Sequence, residues 1–158
     1  MTVRRLASAI GYSQPVLYGH FPGGREEIVR HVVIDGFQQL ADALAGSDQV
    51  VDQRERVSQV ANRYLAFARD NVAVYDAMFS MPVDVAFASA TTPQPLRDAF
   101  SWILRAAASG GATSDGDAET RAELLWSALH GLAQLSQHAR LRPSHEQARL
   151  DLLIEFFS

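Results

Sequence analysis

Apolar side chains recur every three or four residues over most of this 158-residue sequence, and this spacing most constrains how the chain can fold. Between residues 25 and 45, one face of a helix would carry Val33, Phe37, Leu40 and Leu44, as in an amphipathic helix. Strict alternation of apolar and polar residues, which indicates a half-buried strand, is missing over any useful length. The pattern therefore predicts an all-α fold.

Glycine, proline and capping residues between the apolar segments set the expected helix boundaries. Two short helices are expected over 3–10 and 14–20, followed by a long helix over 25–45. Further helices are expected over 53–70, 72–80, 95–109, 117–141 and 144–157. The chain then divides into a head, residues 1–31, which runs into a linker helix ending near residue 45, and a helical-bundle body, residues 46–158.

Charge is distributed unevenly between these two parts. The sequence has 14 Lys+Arg and 18 Asp+Glu, a net charge of −4, but the head has a net charge of +2 and the remainder −6. A basic end on an acidic body is typical of a small DNA-reading head joined to a body with another role.

Composition and motifs exclude or disfavour several classes of protein. No apolar run approaches the roughly 18 residues needed to span a bilayer, and no signal-peptide pattern follows Met1. The sequence has no cysteine, so disulfides and cysteine-ligated metals are excluded. Its five histidines form no HExxH motif, and it has no glycine-rich phosphate loop. We expect a cytoplasmic protein without membrane contact, enzymatic activity, metal or cofactor.

Residues 2–21 have the layout of a helix-turn-helix, in which two short helices flank a tight glycine turn. In that geometry the second helix enters the major groove. Gln14 is able to hydrogen-bond adenine edges, and the Tyr18 hydroxyl is able to donate to a phosphate. Thr2 and Ser13 lie at helix N-termini, where backbone N–H groups attract phosphate. The spacing alone fits a plain helical hairpin equally well.

The residue types favour the DNA-binding interpretation. Residues 2–7 (Thr-Val-Arg-Arg-Leu-Ala) and 11–21 (Gly-Tyr-Ser-Gln-Pro-Val-Leu-Tyr-Gly-His-Phe) closely resemble the helix-turn-helix signature of the tetracycline-repressor (TetR) family. The resemblance implies that phosphates are held by Thr2, Tyr18 and His20. It implies that base edges are faced by Gln14, Pro15, Val16 and Gly19. The remaining expected DNA contacts are Arg4, Ser13 and Arg25, the last in place of a family lysine.

Two departures from the family pattern affect this head. Residues 22–26, Pro-Gly-Gly-Arg-Glu, replace a shorter family connection into the linker helix. The family also places a whole helix before the threonine, whereas this sequence begins at Met1. We therefore expect a head without its first family helix. Two interpretations remain open: the sequence begins downstream of the natural start, or the protein is a dimeric small-molecule-binding protein without DNA activity.

The body resembles the C-terminal ligand-sensing domain called WHG after its Trp, His and Gly, which are here Trp126, His130 and Gly131. Residues 64–68 and 75–79 also match its Tyr-x-x-Phe-Ala and Tyr-x-x-Met-Phe runs. The resemblance implies a ligand pocket, for which the predicted residues are Phe67, Tyr75, Met78, Phe79, Phe100, Trp126 and His130. The same apolar side chains can equally be core, and His130 can be a buried histidine bonded to backbone.

Many apolar side chains lie near the C-terminus, which suggests a surface for a partner. The resemblance implies that the last two helices pair with their copies in a four-helix dimer interface. The predicted interface residues are Leu125, Leu129, Leu132, Leu150, Leu153 and Phe157. A homodimer suits a palindromic double-stranded DNA operator read by two heads. The sequence as a whole predicts a bacterial TetR-type transcriptional regulator, a repressor controlled by a small apolar effector.

Overall fold

The computed structural model describes residues 21–80, 89–108 and 115–158, except the side chains of Asp48 and Asp115. Within these ranges the regular structure is helical, which confirms the all-α prediction. The helices are α1 (Gly24–Leu44), α2 (Gln53–Asp70), α3 (Val72–Ser80), α4 (Gln94–Ala107), α5 (Asp115–Gln137) and α6 (Glu146–Phe157). Short 3-10 turns occur at Ser47–Gln49 and Pro143–His145. Residues 2–20 of the predicted helix-turn-helix lie outside the described residues.

Local chemistry explains the connection from α1 to α2. Gly46 has a φ of 81°, a left-handed conformation that glycine adopts without strain, and it lets the chain turn after α1. Asp52 caps α2, since its carboxylate accepts a hydrogen bond from the backbone N–H of Glu55 at 2.9 Å. These two residues place α2 at Gln53–Asp70, as the sequence predicted.

Helix α5 ends at Gln137, before the end at residue 141 that the sequence predicted. The backbone N–H of Arg140 donates to the carbonyl of Leu135 at 2.8 Å, and that of Ala139 donates to Ser136 at 3.0 Å. Ala139 has a φ of 52°, the left-handed conformation in which many helices end. Because this residue is alanine instead of the usual glycine, the sequence carries no clear signal for the end.

Helix α1, the predicted linker helix, is part of the core of the bundle and packs mainly against α4 and α3. The side chains that the periodicity placed on one face are all buried: Val33, Phe37, Leu40 and Leu44. Helix α1 approaches α3 closely at Gly36, where a Cβ atom would lie 2.8 Å from the Met78 side chain and 2.9 Å from that of Val74. A displacement of α1 therefore requires α3 to repack.

Polar side chains on α2 and α5 bind the C-terminal ends of α4 and α6. The Gln53 amide donates to the carbonyl of Ala106 at 2.6 Å. The Arg121 guanidinium donates to the carbonyls of Ala107 and Phe157, each at 3.3 Å. Carbonyls in the last turn of a helix lack partners within that helix, so these bonds satisfy them and close the bundle. None of the helices in the described ranges is both long and apolar enough to cross a membrane.

Candidate ligand-binding site

The ring side chains among the predicted ligand residues lie together where α2, α3, α4 and α5 meet. The ring centroids of Phe79 and His130 are 4.4 Å apart, and those of Tyr75 and Phe79 are 4.9 Å apart. Trp126 lies 6.0 Å from Phe79. Two further rings extend this cluster, Phe67 beside Tyr75 and Phe100 beside Trp126. The fold thus brings into contact side chains that the family resemblance had selected.

A chain of hydrogen bonds runs through this cluster. The Trp126 Nε1–H donates to the Tyr64 hydroxyl at 3.1 Å. The Tyr64 and Tyr75 hydroxyls are 2.9 Å apart, and the Tyr75 hydroxyl is 2.8 Å from Nδ1 of His130. An indole N–H only donates, so Tyr64 accepts from Trp126. Both hydroxyl hydrogens then find acceptors within the chain of hydrogen bonds only if Tyr64 donates to Tyr75 and Tyr75 donates to His130. The proton of the neutral imidazole is then on Nε2.

Burial favours the neutral forms of the three titratable side chains in this hydrogen-bond chain, Tyr64, Tyr75 and His130. It raises the pKa of Tyr64 to about 12 and also raises the pKa of Tyr75, where the neighbouring Tyr64 adds to the effect. Burial lowers the pKa of His130. A proton on Nδ1 of His130 would force Tyr75 to accept there and donate to Tyr64, leaving the buried Tyr64 hydroxyl hydrogen without an acceptor. Hydrogen bonding and burial therefore agree that His130 is neutral.

A cavity of about 420 Å³ lies next to this cluster, between α1, α4 and α5. Among the described residues, its apolar wall consists of Phe37, Leu40, Ala90, Leu96, Ala99, Phe100, Ile103 and Trp126. Its polar lining consists of Ser89, Thr92, Arg97, Glu119 and Glu123. An apolar cavity of this size with a few polar groups is typical of a small-molecule site.

The predicted ligand residues divide between this cavity and the core. Phe100 and Trp126 line the cavity. Phe67, Tyr75 and Met78 are instead buried in the core. The remaining two, Phe79 and His130, are half-buried members of the ring cluster and do not line this cavity.

Sequence reasoning missed the contributions of α1 and of the start of α5 to the cavity wall. Phe37 and Leu40 of α1 carried only the signal of a core-facing helix stripe. Glu119 and Glu123 of α5 carried only the signal of a charged helix surface. Their meeting depends on how the two helices pack, which periodicity does not give.

Of the predicted DNA contacts, Arg25 is the one within the described residues. It lies in the first turn of α1 and is exposed. The adjacent Glu26 and Glu27 suit a helix N-terminus, and the Glu27 carboxylate accepts from the backbone N–H of Gly23 at 2.7 Å. The other predicted DNA contacts lie outside the described residues: Thr2, Arg4, Ser13, Gln14, Pro15, Val16, Tyr18, Gly19 and His20.

Most of the residues predicted for the dimer interface face the core of their own chain. Those that are buried are Leu125, Leu129, Leu150 and Phe157. The other two, Leu132 and Leu153, are half-buried. The large apolar side chains that α5 and α6 expose are their neighbours Leu124, Leu135, Leu152 and Phe156. The periodicity identified an apolar stripe on each helix correctly, but that stripe packs inward.

No group of three His, Asp or Glu side chains within residues 21–80, 89–108 and 115–158 is placed to hold a metal ion.

Comparison with known proteins adds to this geometry. Residues 57–157 match the family described as "Tetracyclin repressor-like, C-terminal domain". The chain is similar to a solved Rhodococcus sp. RHA1 protein of unknown function, with a TM-score of 0.69 and 22% identity, covering 99% of this chain and 84% of the other. It is also similar to SCO4313, a candidate regulatory protein, with a TM-score of 0.67 and 23% identity, covering 98% and 85% of the two chains. No curated protein sequence matches significantly. The structural matches support the fold, and the WHG subdivision stays a prediction.

Proposed function

This chain belongs to the tetracycline-repressor-like family, and on that basis we propose that it is a homodimeric repressor whose binding to operator DNA is controlled by a small, largely apolar ligand. The ligand site is the cavity between α1, α4 and α5. The observation that carries this proposal is the position of Phe37 and Leu40, which lie on the linker helix and line the cavity. A bound ligand would contact the helix that follows the predicted helix-turn-helix.

Control of DNA binding requires a ligand that binds one arrangement of α1 more tightly than another. Phe37 and Leu40 provide such a difference, because a shift of α1 changes the shape of the cavity wall. The tight contact between Gly36 and Met78 would carry the same shift into α3. Coupling free energies between two sites are typically about 1–3 kcal/mol, which a few altered apolar contacts can supply.

Homodimer formation is supported by exposed apolar side chains on the last two helices. Leu124 and Leu135 on α5, and Leu152 and Phe156 on α6, are exposed. Gly131 lies on the same face of α5 as the two leucines, at helical spacing. No atom of the rest of the described chain comes within 4 Å of the place where its Cβ would stand. A second copy packed on this face would cover these side chains and bring two heads onto a palindromic operator.

A gel-shift experiment tests the proposed function. The full-length protein is mixed at low salt with the DNA upstream of its own gene, and with unrelated DNA of equal length. We expect selective retardation of the upstream fragment. Tyr18→Phe should weaken binding to every sequence, whereas Gln14→Ala should relax the base preference.

The absence of selective retardation would contradict the proposal that this protein is a repressor. The same result combined with ligand binding in the cavity would favour the alternative function, a dimeric small-molecule-binding protein without DNA activity. The open question of the first family helix motivates that alternative, and the codons upstream of Met1 would show whether such a helix is encoded.

A further inference from the structure

We propose that the cavity between α1, α4 and α5 selects an organic cation with an apolar body, such as a lipophilic ammonium or phosphonium ion. This inference rests on the proposed function for the ligand site and adds the charge and chemical class of the ligand. Two features of the wall carry it: a corner of aromatic rings and a pair of carboxylates.

The aromatic corner is formed by Phe100 and Trp126, which both line the cavity. Their ring planes meet at 61° with centroids 5.9 Å apart. The Trp126 Nε1–H is already engaged with the Tyr64 hydroxyl at 3.1 Å, so the indole has no donor left for an anionic ligand. Its π-face, like that of Phe100, attracts cations within about 6 Å of the ring centroid. Both rings therefore contribute aromatic surface to the cavity wall.

The carboxylates of Glu119 and Glu123 also line the cavity. Their spacing of four residues puts them on one face of α5, one turn apart. Within the described part of the chain, neither carboxylate is in an ion pair with a cationic side chain. Both residues are exposed, so they border the opening to solvent. They are placed to attract a cation whose apolar groups enter the cavity.

Arg97 is the opposing charge in the lining, and it is held in a surface network. Its guanidinium donates to the side-chain carbonyl of Gln94 at 2.7 Å. The amide of Gln94 in turn donates to the Asp98 carboxylate at 2.6 Å. With two carboxylates and one guanidinium, the described residues of the lining have a formal charge of −1. The lining therefore favours a monovalent cation over an anion of the same shape.

Isothermal titration calorimetry on the full chain tests this assignment with two probes of matched shape. Tetraphenylphosphonium and tetraphenylborate carry the same four phenyl groups and differ in the sign of their charge. We expect tetraphenylphosphonium to bind about tenfold more tightly than tetraphenylborate, a preference of the size that one partly exposed charge contact supplies.

Variants locate the source of that preference. Glu119→Gln/Glu123→Gln should weaken phosphonium binding about tenfold and remove the discrimination between the probes. Phe100→Leu keeps an apolar side chain but removes the ring, and should weaken phosphonium binding roughly fivefold. Glu55→Gln is the matched control, because Glu55 is an exposed carboxylate on α2 that does not line the cavity. It should leave the affinity unchanged, and thermal melts confirm that each variant is folded.

Three results would overturn the assignment: equal or tighter binding of tetraphenylborate, no binding of tetraphenylphosphonium, or full affinity in the folded double variant. The gel shift separates this outcome from the proposed function. Selective DNA retardation without phosphonium binding would contradict the proposed ligand class and leave the proposed repressor function standing. Phosphonium binding without DNA retardation would contradict the proposed repressor function and still support the cation site.

Discussion

The Tyr75 hydroxyl and the Nδ1 atom of His130 are 2.8 Å apart, and this contact ends a hydrogen-bond chain that joins α2, α3 and α5 through the core. Within the described residues, no buried side-chain polar atom is left without a hydrogen-bond partner. Every member of the chain therefore depends on its neighbours, because low-dielectric surroundings make an unpaired polar group costly.

Tyr75→Phe should lower the free energy of unfolding by about 1–3 kcal/mol, because the buried Tyr64 would keep a hydroxyl hydrogen without an acceptor. Urea unfolding followed by circular dichroism measures the change. Tyr64→Phe and the double variant complete a thermodynamic cycle. We expect the double variant to lose less stability than the sum of the single losses, since the two hydroxyls are in direct contact. Additive losses would contradict a direct hydrogen bond between the two hydroxyls.

The stability of the protein should fall with pH below about 6.5, the ordinary pKa of histidine in an unfolded chain. Burial lowers the pKa of His130 in the folded protein, so the folded state binds fewer protons. Its contribution is fully present above about pH 6.5 and is lost as pH falls from there toward the lower folded pKa.

Melting temperatures measured in a pH series test whether His130 causes this loss of stability. His130→Asn, whose side-chain oxygen is able to accept from Tyr75, should flatten the curve below about pH 6.5. His138→Asn is the control, because His138 is exposed just after the end of α5 and its Nδ1 is bonded to the backbone carbonyl of Gln134. A curve that flattens equally in both variants would point to another titrating group.

Gly36→Ala should destabilise the protein by about 1–3 kcal/mol, because the new methyl group meets Met78 and Val74 at the junction of α1 and α3. The methionine side chain is flexible, but β-branched Val74 has little freedom to move. Gly131→Ala, compared at a protein concentration at which the chain is monomeric, is the matched control. Its methyl group meets nothing within 4 Å in the rest of the described chain, and alanine favours a helix by about 1 kcal/mol over glycine. Equal effects of the two substitutions on urea unfolding would contradict this packing.

Phe156→Asp should convert a dimer to monomers while the chain stays folded, because this side chain is 70% exposed. Sedimentation velocity measures the association state. The adjacent Phe157 is 4% exposed, so Phe157→Asp should unfold the chain instead. Val51→Asp replaces another exposed apolar residue, located between α1 and α2. That control should leave the association state unchanged. Monomers in the wild type and in both folded variants, Phe156→Asp and Val51→Asp, would contradict the dimer prediction.

Periodicity predicted the helical class and the side chains of α1 that face the core, because burial of one helix face determines both. The family resemblance selected Tyr75, Phe79, Trp126 and His130, which the fold brings into contact. Periodicity did not give the cavity, since Phe37 and Glu123 come together only through the packing of α1, α4 and α5. An inward apolar stripe and an outward one also have the same spacing, which explains why buried Leu125 was predicted at the surface in place of exposed Leu124.

The engaged indole of Trp126 gives this protein a built-in optical probe. The sequence has two tryptophans, and the other, Trp102, lies against the Arg105 guanidinium at 4.6 Å. Trp102→Phe would leave a single emitter whose ring lines the cavity and whose N–H holds the buried hydroxyl of Tyr64. Its emission intensity would respond to occupancy of the cavity, and its emission wavelength to the loss of that hydrogen bond. One fluorescence titration would thus report both ligand binding in the cavity and the state of the hydrogen bond in the core.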